Sequence, residues 1–162
     1  MSQAEIIAEE AVKALIKANL SVSFAESCTG GLLSQLVTSV SGASQIFELG
    51  ICCYSNNIKN KILKVPNEIL NTFGAISQET ATVLAKEIML LANSDIGVSV
   101  TGVAGPSKSE NKEVGTVYIG FCSKDNAFVT KLNANKTLSR NEIRELAATT
   151  ALNLIKDYCY SK

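Results

Sequence analysis

Helical and strand-like segments alternate along this chain, and that alternation most limits the folds open to it. Apolar residues at helical spacing predict helices over residues 4–18, 30–40, 56–63, 66–72, 77–92 and 139–158. Strands are predicted between them, at residues 21–25, 46–54, 96–101, 114–122 and 127–132. This order favours helices packed on both faces of one sheet. We therefore predict an α/β fold, a three-layer α/β/α sandwich with a mixed, mostly parallel sheet.

Two further features refine this prediction. The strand at residues 96–101 alternates apolar with small or polar side chains and is expected to be half-buried. The last two strands flank Lys124-Asp125-Asn126, a turn typical of an antiparallel hairpin.

No low-complexity linker, charge run or fixed-period repeat divides the chain. We therefore expect a single domain over residues 1–162.

The composition excludes several kinds of function. The 162 residues include 15 basic and 15 acidic side chains and no histidine. Such a charge balance lacks the basic surface that nucleic acid requires. Without histidine, a Ser-His-Asp or Cys-His nucleophile and the usual zinc sites are excluded, and no acidic cluster indicates another metal. Any acid–base chemistry must therefore use Lys, Tyr, Cys, Asp or Glu.

The cysteines and the hydropathy pattern indicate where such a protein works. Five cysteines, an odd number with no C-x-x-C pair, favour a reducing compartment. The first 20 residues carry three glutamates instead of the basic flank and apolar core of a signal peptide. No apolar run approaches the roughly 18 residues of a membrane span. We expect a cytoplasmic protein with no membrane association and no cofactor.

The most informative segment reads Ala-Glu-Ser-Cys-Thr-Gly-Gly at residues 25–31. It follows a strand and opens a helix, where ligands commonly bind in α/β folds. Ser27 is a candidate nucleophile. The amide N–H groups of Thr29, Gly30 and Gly31, at the start of the helix, could hold a phosphate or an oxyanion. The alternative is that Ser27 and Thr29 only cap the helix. Cys28 is a rival nucleophile, but without histidine to deprotonate it a buried apolar role is favoured.

A second candidate pair follows the next strand. Tyr54 leaves that strand, and Lys59 lies in the first turn of the following helix. Lys59 is a candidate general base if burial lowers its pKa, and Tyr54 could relay the proton or donate to a developing charge. The alternative for Lys59 is a solvated position on a basic helix face.

Two later segments carry candidate binding residues. Residues 101–106, Thr-Gly-Val-Ala-Gly-Pro, follow a strand end, and their glycines suit close approach of the backbone to a ligand. Arg140 and Arg144 lie one helical turn apart and are the only arginines in the chain. Each can present a two-pronged donor to phosphate or carboxylate. An ordinary Gly-Pro turn and an exposed helix face paired to glutamates are the alternatives.

Taken together, these segments resemble one known family. Five motifs occur in the family's order: residues 25–31, Tyr54-Ser55-Asn56 with Lys59, Gly74-Ala75-Ile76-Ser77, residues 101–106, and Val-Gly-Thr-Val-Tyr at 114–118. The two arginines then open the last helix. From about residue 5 to 156 the chain resembles the C-terminal domain of the competence/damage-inducible protein CinA, the nicotinamide-nucleotide amidohydrolase family.

The resemblance implies a reaction and assigns residues to it. The expected reaction is hydrolysis of nicotinamide mononucleotide to nicotinate mononucleotide and ammonia, which recycles a pyridine nucleotide. The nucleophile falls on Ser27, with Tyr54 and Lys59 as its partners, and Lys59 takes the proton either directly or through Tyr54. Arg140, Arg144 and the loop with Thr101, Gly102 and Gly105 are expected to hold the 5′-phosphate. The family also implies a homo-oligomer.

One segment departs from the family pattern. Where the family usually has a Gly-Gly-rich loop, residues 107–113 read Ser-Lys-Ser-Glu-Asn-Lys-Glu. Glu110 or Glu113 near a phosphate would repel it, and Lys108 or Lys112 could offset that effect. The departure keeps two alternatives open: a protein that binds a nucleotide or another partner without turnover, and an amidase for a different small amide.

Overall fold

The computed structural model describes residues 1–162 as six α-helices around one five-stranded sheet. The helices are α1 (Gln3–Ala18), α2 (Leu32–Thr38), α3 (Asn56–Leu63), α4 (Asn67–Phe73), α5 (Gln78–Ala92) and α6 (Arg140–Tyr160). The strands are β1 (Val22–Glu26), β2 (Phe47–Cys52), β3 (Ile96–Gly102), β4 (Thr116–Ser123) and β5 (Ala127–Asn133). Every helix and strand predicted from the sequence is present, with ends that differ by a few residues.

The sheet has the strand order β2-β1-β3-β4-β5. β1 pairs in parallel with both β2 and β3, whereas β4 runs antiparallel to β3 and to β5. Four of the five strands therefore point in the same direction, which confirms the prediction of a mixed, mostly parallel sheet. Because β1, β2 and β3 are adjacent and parallel, the loops that follow them meet at one edge of the sheet.

Helices cover both faces of the sheet. On one face, α1, α2 and α6 pack against one another and against apolar side chains that include Phe24 and Val98. On the other face, α5 lies across β1, β3 and β4, with α3 and α4 beside it. A second apolar cluster, with Leu84 and Ile88 of α5, fills that side. These layers confirm the predicted α/β/α sandwich. None of the helices is both long and apolar enough to cross a membrane.

The expectation that β3 is half-buried is wrong, because every residue of the strand except Gly102 is buried. Its small and polar residues face α5 and the turn before it rather than solvent. The Ser99 hydroxyl donates to the carbonyl of Ala81 in α5 over 2.6 Å. A Cβ at Gly97 would lie 2.1 Å from the carbonyl oxygen of Ala85, so only glycine allows the helix this close. The alternation of apolar with small or polar residues in β3 therefore reflects close packing of α5 on the strand, not exposure to solvent.

The start of α6 is set by a capping box, as its sequence predicts. The Ser139 hydroxyl accepts the N–H of Glu142, and the Glu142 carboxylate accepts the N–H of Ser139 over 2.7 Å. Each side chain satisfies a donor that the helix itself leaves free. The cap fixes where α6 begins and thereby places its first two turns at the sheet edge where the loops after β1 and β3 meet.

Candidate active site

A cavity of about 330 Å³ opens at the edge where the loops after β1, β2 and β3 meet. Seven of the eleven site residues predicted from the sequence line it: Ser27, Tyr54, Lys59, Thr101, Gly102, Gly105 and Arg140. The other four, Thr29, Gly30, Gly31 and Arg144, are not among its lining residues. These four residues lie outside the cavity because of how the turn after β1 is built.

Lys59 and Ser27 touch at this cavity, although they are 32 residues apart in the sequence. The Nζ of Lys59 lies 3.3 Å from the Oγ of Ser27. It also donates to the carbonyl oxygens of Cys53 and Tyr54, over 2.8 and 3.0 Å. Ser55 caps α3 through the N–H of Ile58, and the turn folds the first residues of the helix back over the end of β2. This turn carries Lys59 inward to Ser27.

The burial of Lys59 changes its acidity. The side chain is only 1% exposed, and no carboxylate lies within ion-pair distance of it. Burial penalises the ammonium form and lowers the pKa of Lys59 below its ordinary value, against smaller opposing effects of Cys53 and Glu110. A lysine in this setting gives up its proton more readily than one in water. The solvated alternative is therefore wrong for Lys59.

Cys28 lies beside Ser27 but is poorly suited to attack a substrate. Its side chain is buried, and burial raises the pKa of the thiol to about 11. The thiol is therefore protonated near neutral pH, and the thiolate is the nucleophilic form of cysteine. Cys28 packs in the core beneath the site, as the sequence interpretation favoured.

The first turn of α2 is capped by Glu26, a role that the sequence interpretation missed. Its buried carboxylate accepts the N–H groups of Gly31, Leu33 and Ser34 over 2.8–3.0 Å, and the hydroxyl of Ser34 over 2.6 Å. A carboxylate at a helix N-terminus accepts hydrogen bonds from N–H groups that the helix leaves free, and its negative charge is favourable at the positive end of the helix dipole. Its position at the end of β1, in the segment that leads into a helix, was the signal available in the sequence.

This cap changes which amides a ligand can reach. The Gly31 N–H is bound to Glu26, and the Gly30 N–H donates to the Ser27 carbonyl over 3.0 Å. The expectation that these two amides face a ligand is therefore not met. The N–H groups of Cys28 and Thr29 have no partner within the chain, and of these two residues only Cys28 lines the cavity. The alternative that Ser27 and Thr29 only cap the helix is also wrong. Ser27 contacts Lys59, and the buried Oγ1 of Thr29 has no hydrogen-bond partner.

Arg144 binds the turn after β1 instead of facing the cavity. Its guanidinium donates to the carbonyl of Cys28 over 3.1 Å and to that of Thr29 over 2.7 Å. The C=O and N–H of one peptide unit point in opposite directions. Because Arg144 draws the Cys28 carbonyl towards α6, the Thr29 N–H of the same peptide unit points away from α6.

Arg140 lies one turn earlier on α6 and does line the cavity. Its guanidinium donates to the carbonyl of Gly105 and to the hydroxyl of Tyr54, the latter over 3.3 Å. The Tyr54 side chain is 62% exposed and reaches towards Arg140. Tyr54 therefore does not stand between Ser27 and Lys59. Its backbone carbonyl contacts Lys59, and its hydroxyl contacts Arg140.

The loop after β3 forms another wall. The Thr101 hydroxyl donates to the carbonyl of Ala75 over 2.8 Å, which ties the end of β3 to the turn before α5. A Cβ at Gly102 would lie 2.6 Å from the carbonyl oxygen of Thr116 on β4, so glycine permits that close pairing. Gly105 adopts a φ of +86°, a left-handed conformation that glycine tolerates best. These residues shape the wall through their backbone.

Of the two glutamates in the atypical loop, only Glu110 lines the cavity. Its carboxylate crosses to the turn before α5 and accepts the N–H groups of Ala75 and Ile76, over 3.1 and 3.0 Å. Glu113 is turned outward and pairs with Lys108 and Lys136, over 3.4 and 2.8 Å. The cavity is thus bordered by one carboxylate, and its two hydrogen-bond partners lie 35 and 34 residues earlier in the chain.

The fold and the cavity define an α/β protein with a serine–lysine pair at the carboxyl ends of its parallel strands. The chain belongs to the CinA family, because the family model described as the CinA C-terminal domain matches residues 4–159. The family resemblance predicted from the five sequence motifs is therefore confirmed.

Individual relatives agree with this assignment. A protein of Thermoanaerobacter pseudethanolicus named competence-damage inducible protein is 43% identical over 155 residues, covering 95% of this chain. The chain spans only 37% of that relative's length. Among solved structures, the competence/damage inducible protein CihA from Agrobacterium tumefaciens matches with a TM-score of 0.90 at 33% identity, covering 96% of this chain and 94% of that one. A CinA superfamily protein from Klebsiella pneumoniae, at 22% identity and a TM-score of 0.94 over 99% of this chain and 100% of its own, shares the fold.

Proposed function

We propose that this chain hydrolyses the carboxamide of nicotinamide mononucleotide, giving nicotinate mononucleotide and ammonia. The observation that carries the proposal is the contact between Ser27 and a buried lysine whose pKa is lowered by desolvation. Membership of the CinA family supports the choice of substrate. A chain without histidine needs another group to deprotonate serine, and Lys59 is in reach.

The first half of the reaction forms an acyl-enzyme. Neutral Lys59 takes the Ser27 proton as Oγ attacks the carboxamide carbon, and the carbonyl oxygen becomes an oxyanion. The free N–H of Cys28, a residue that lines the cavity, binds that oxyanion, a contribution of about 3–4 kcal/mol for one well-placed donor. Lys59 then gives its proton to the departing nitrogen, which leaves as ammonia while an ester to Ser27 remains.

The second half releases the product. Water attacks the ester carbon and gives its proton to Lys59, and the same N–H group binds the second oxyanion. Collapse of that intermediate breaks the bond to Ser27, whose oxygen recovers a proton from Lys59. Arg140, at the mouth of the cavity, is the candidate partner of the 5′-phosphate, because its guanidinium can bind a phosphate through two N–H groups.

Ammonia release from nicotinamide mononucleotide by purified variants tests this proposal. Ser27→Ala is expected to abolish release, and Lys59→Met to reduce the rate about 10²–10⁴-fold, the usual contribution of a general base. Tyr54→Phe is expected to cost about tenfold at most, since it removes one hydrogen bond of about 0.5–1.5 kcal/mol. Lys61→Met, an exposed lysine on the same helix, is the matched control.

Other outcomes have definite meanings. Full activity of Ser27→Ala would remove the serine as nucleophile. A loss in Tyr54→Phe as large as that in Lys59→Met would make Tyr54 the immediate base. Calorimetric binding of the mononucleotide without ammonia release from the wild-type protein would favour a nucleotide-binding protein. Equal turnover of free nicotinamide would indicate an amidase with no phosphate contact.

A further inference from the structure

Three charged side chains line the cavity: Lys59, Arg140 and Glu110. Glu110 is the only acidic one. Lys59 must be neutral before it can accept the serine proton. In that reactive form the cavity presents one cation, Arg140, and one carboxylate, Glu110. A ligand that carries both a positive and a negative charge matches this arrangement better than a singly charged one.

Glu110 is held in a fixed position by its backbone contacts. Both of its carboxylate oxygens accept an N–H bond, one from Ala75 and one from Ile76. The carboxylate also lies over Gly74, where a Cβ would meet it at 2.4 Å. The negative charge is thus anchored on the cavity wall before a ligand arrives, and a preorganised charge costs little reorganisation on binding.

The proposed substrate has the matching charges. Nicotinamide mononucleotide carries a positive charge on its N-substituted pyridinium ring and a negative charge on its phosphate. With Arg140 as the only charged partner, the phosphate would be attracted and the ring repelled. Free nicotinamide, by contrast, is uncharged and gains nothing from a carboxylate.

We propose that Glu110 recognises the positive charge of an N-substituted pyridinium ring and makes the site selective for such cationic carboxamides over neutral ones. This inference rests on the proposed function. It assigns a specificity-determining role to the loop at residues 107–113, which departs from the usual family sequence. Glu113, outside the cavity and paired with two lysines, has no such role.

Binding measurements with two ligands that differ in ring charge test this inference. Oxidised nicotinamide mononucleotide has a charged ring, whereas its dihydropyridine form keeps the carboxamide, ribose and phosphate on an uncharged ring. The Ser27→Ala protein allows dissociation constants to be measured by calorimetry without turnover. Glu110→Gln is compared in that background, because glutamine keeps an oxygen acceptor for the turn while removing the charge. Glu113→Gln is the matched control.

Ser27→Ala is expected to bind the oxidised form more tightly than the reduced form. Adding Glu110→Gln should raise the dissociation constant of the oxidised form on the order of tenfold and leave that of the reduced form unchanged. Glu113→Gln should change neither. Equal weakening of both ligands by Glu110→Gln would show that the residue only holds the loop, and no change in either would also overturn the inference. If the wild-type protein binds neither mononucleotide, the proposed function fails and this inference fails with it.

Discussion

At the scale of single residues, the site depends on what burial does to Lys59. Helical pattern alone marks this lysine as one of three in or beside a short helix, and it is the family resemblance that singles it out as the partner of Ser27. Its neighbours Lys61 and Lys64 are exposed, whereas Lys59 is buried against Ser27 and two backbone carbonyls. Helical spacing could predict that the three side chains point in different directions. It could not predict which one turns inward, because that depends on a contact made 32 residues away.

The lowered pKa of Lys59 predicts how the rate depends on pH. In the proposed mechanism the neutral amine is the base, so kcat/KM should rise as the pH rises through the pKa of Lys59 and then level off. Because burial lowers that pKa, the midpoint of the rise should lie below the ordinary lysine value of 10.5. Steady-state rates of ammonia release across the pH range of protein stability measure this profile.

Lys59→Arg is the control for that profile. Arginine stays protonated at every accessible pH, so this variant should remain inactive across the whole range. A wild-type rate that does not change with pH, or an active Lys59→Arg protein, would show that Lys59 is not the base.

At the scale of elements, the sequence predicted the helices and strands well but not what their ends contact. Apolar spacing and turn residues depend on local geometry, which explains why every α-helix and every strand was found. Arg140 and Arg144, one turn apart on α6, received the same phosphate-binding role from the sequence. The structure separates them: Arg140 borders the cavity, whereas Arg144 holds the turn after β1. Since that contact joins residues 116 apart, local pattern could not show it.

This separation predicts opposite kinetic effects for the two arginines. Arg144→Lys keeps the charge but cannot bridge the two carbonyls of Cys28 and Thr29, so the turn that carries the Cys28 amide loses its orientation. We expect kcat to fall about tenfold with little change in KM, as for an interaction made mainly in the transition state. Arg140→Lys should instead raise KM, because it weakens the proposed phosphate contact. Both are measured by steady-state kinetics on nicotinamide mononucleotide.

The reverse pattern is equally informative. If Arg144→Lys raises KM and leaves kcat unchanged, Arg144 contacts the substrate, as the sequence alone predicted. In that case the turn after β1 does not depend on Arg144 for its catalytic geometry.

At the scale of the whole molecule, the cavity joins segments that are distant in the chain. Its walls come from the loops after β1, β2 and β3, the turn before α5, and the start of α6. The α/β class follows from the alternation of elements, and parallel pairing explains why three loops meet at one edge. The strand order and the reach of Glu110 across the cavity depend on long-range packing, which local sequence patterns do not encode.

Because these segments meet only in the folded chain, a ligand in the cavity should stabilise the whole molecule. A ligand at 100 times its dissociation constant adds about 2.7 kcal/mol to the free energy of unfolding. In a chain of this size each kcal/mol raises Tm by about 2–4 °C, so nicotinamide mononucleotide should raise the Tm of Ser27→Ala by about 5–11 °C. Free nicotinamide at the same concentration should raise it far less, since it lacks the phosphate and the ring charge. Equal shifts with both ligands, measured by thermal unfolding, would show that Arg140 and Glu110 do not recognise the nucleotide.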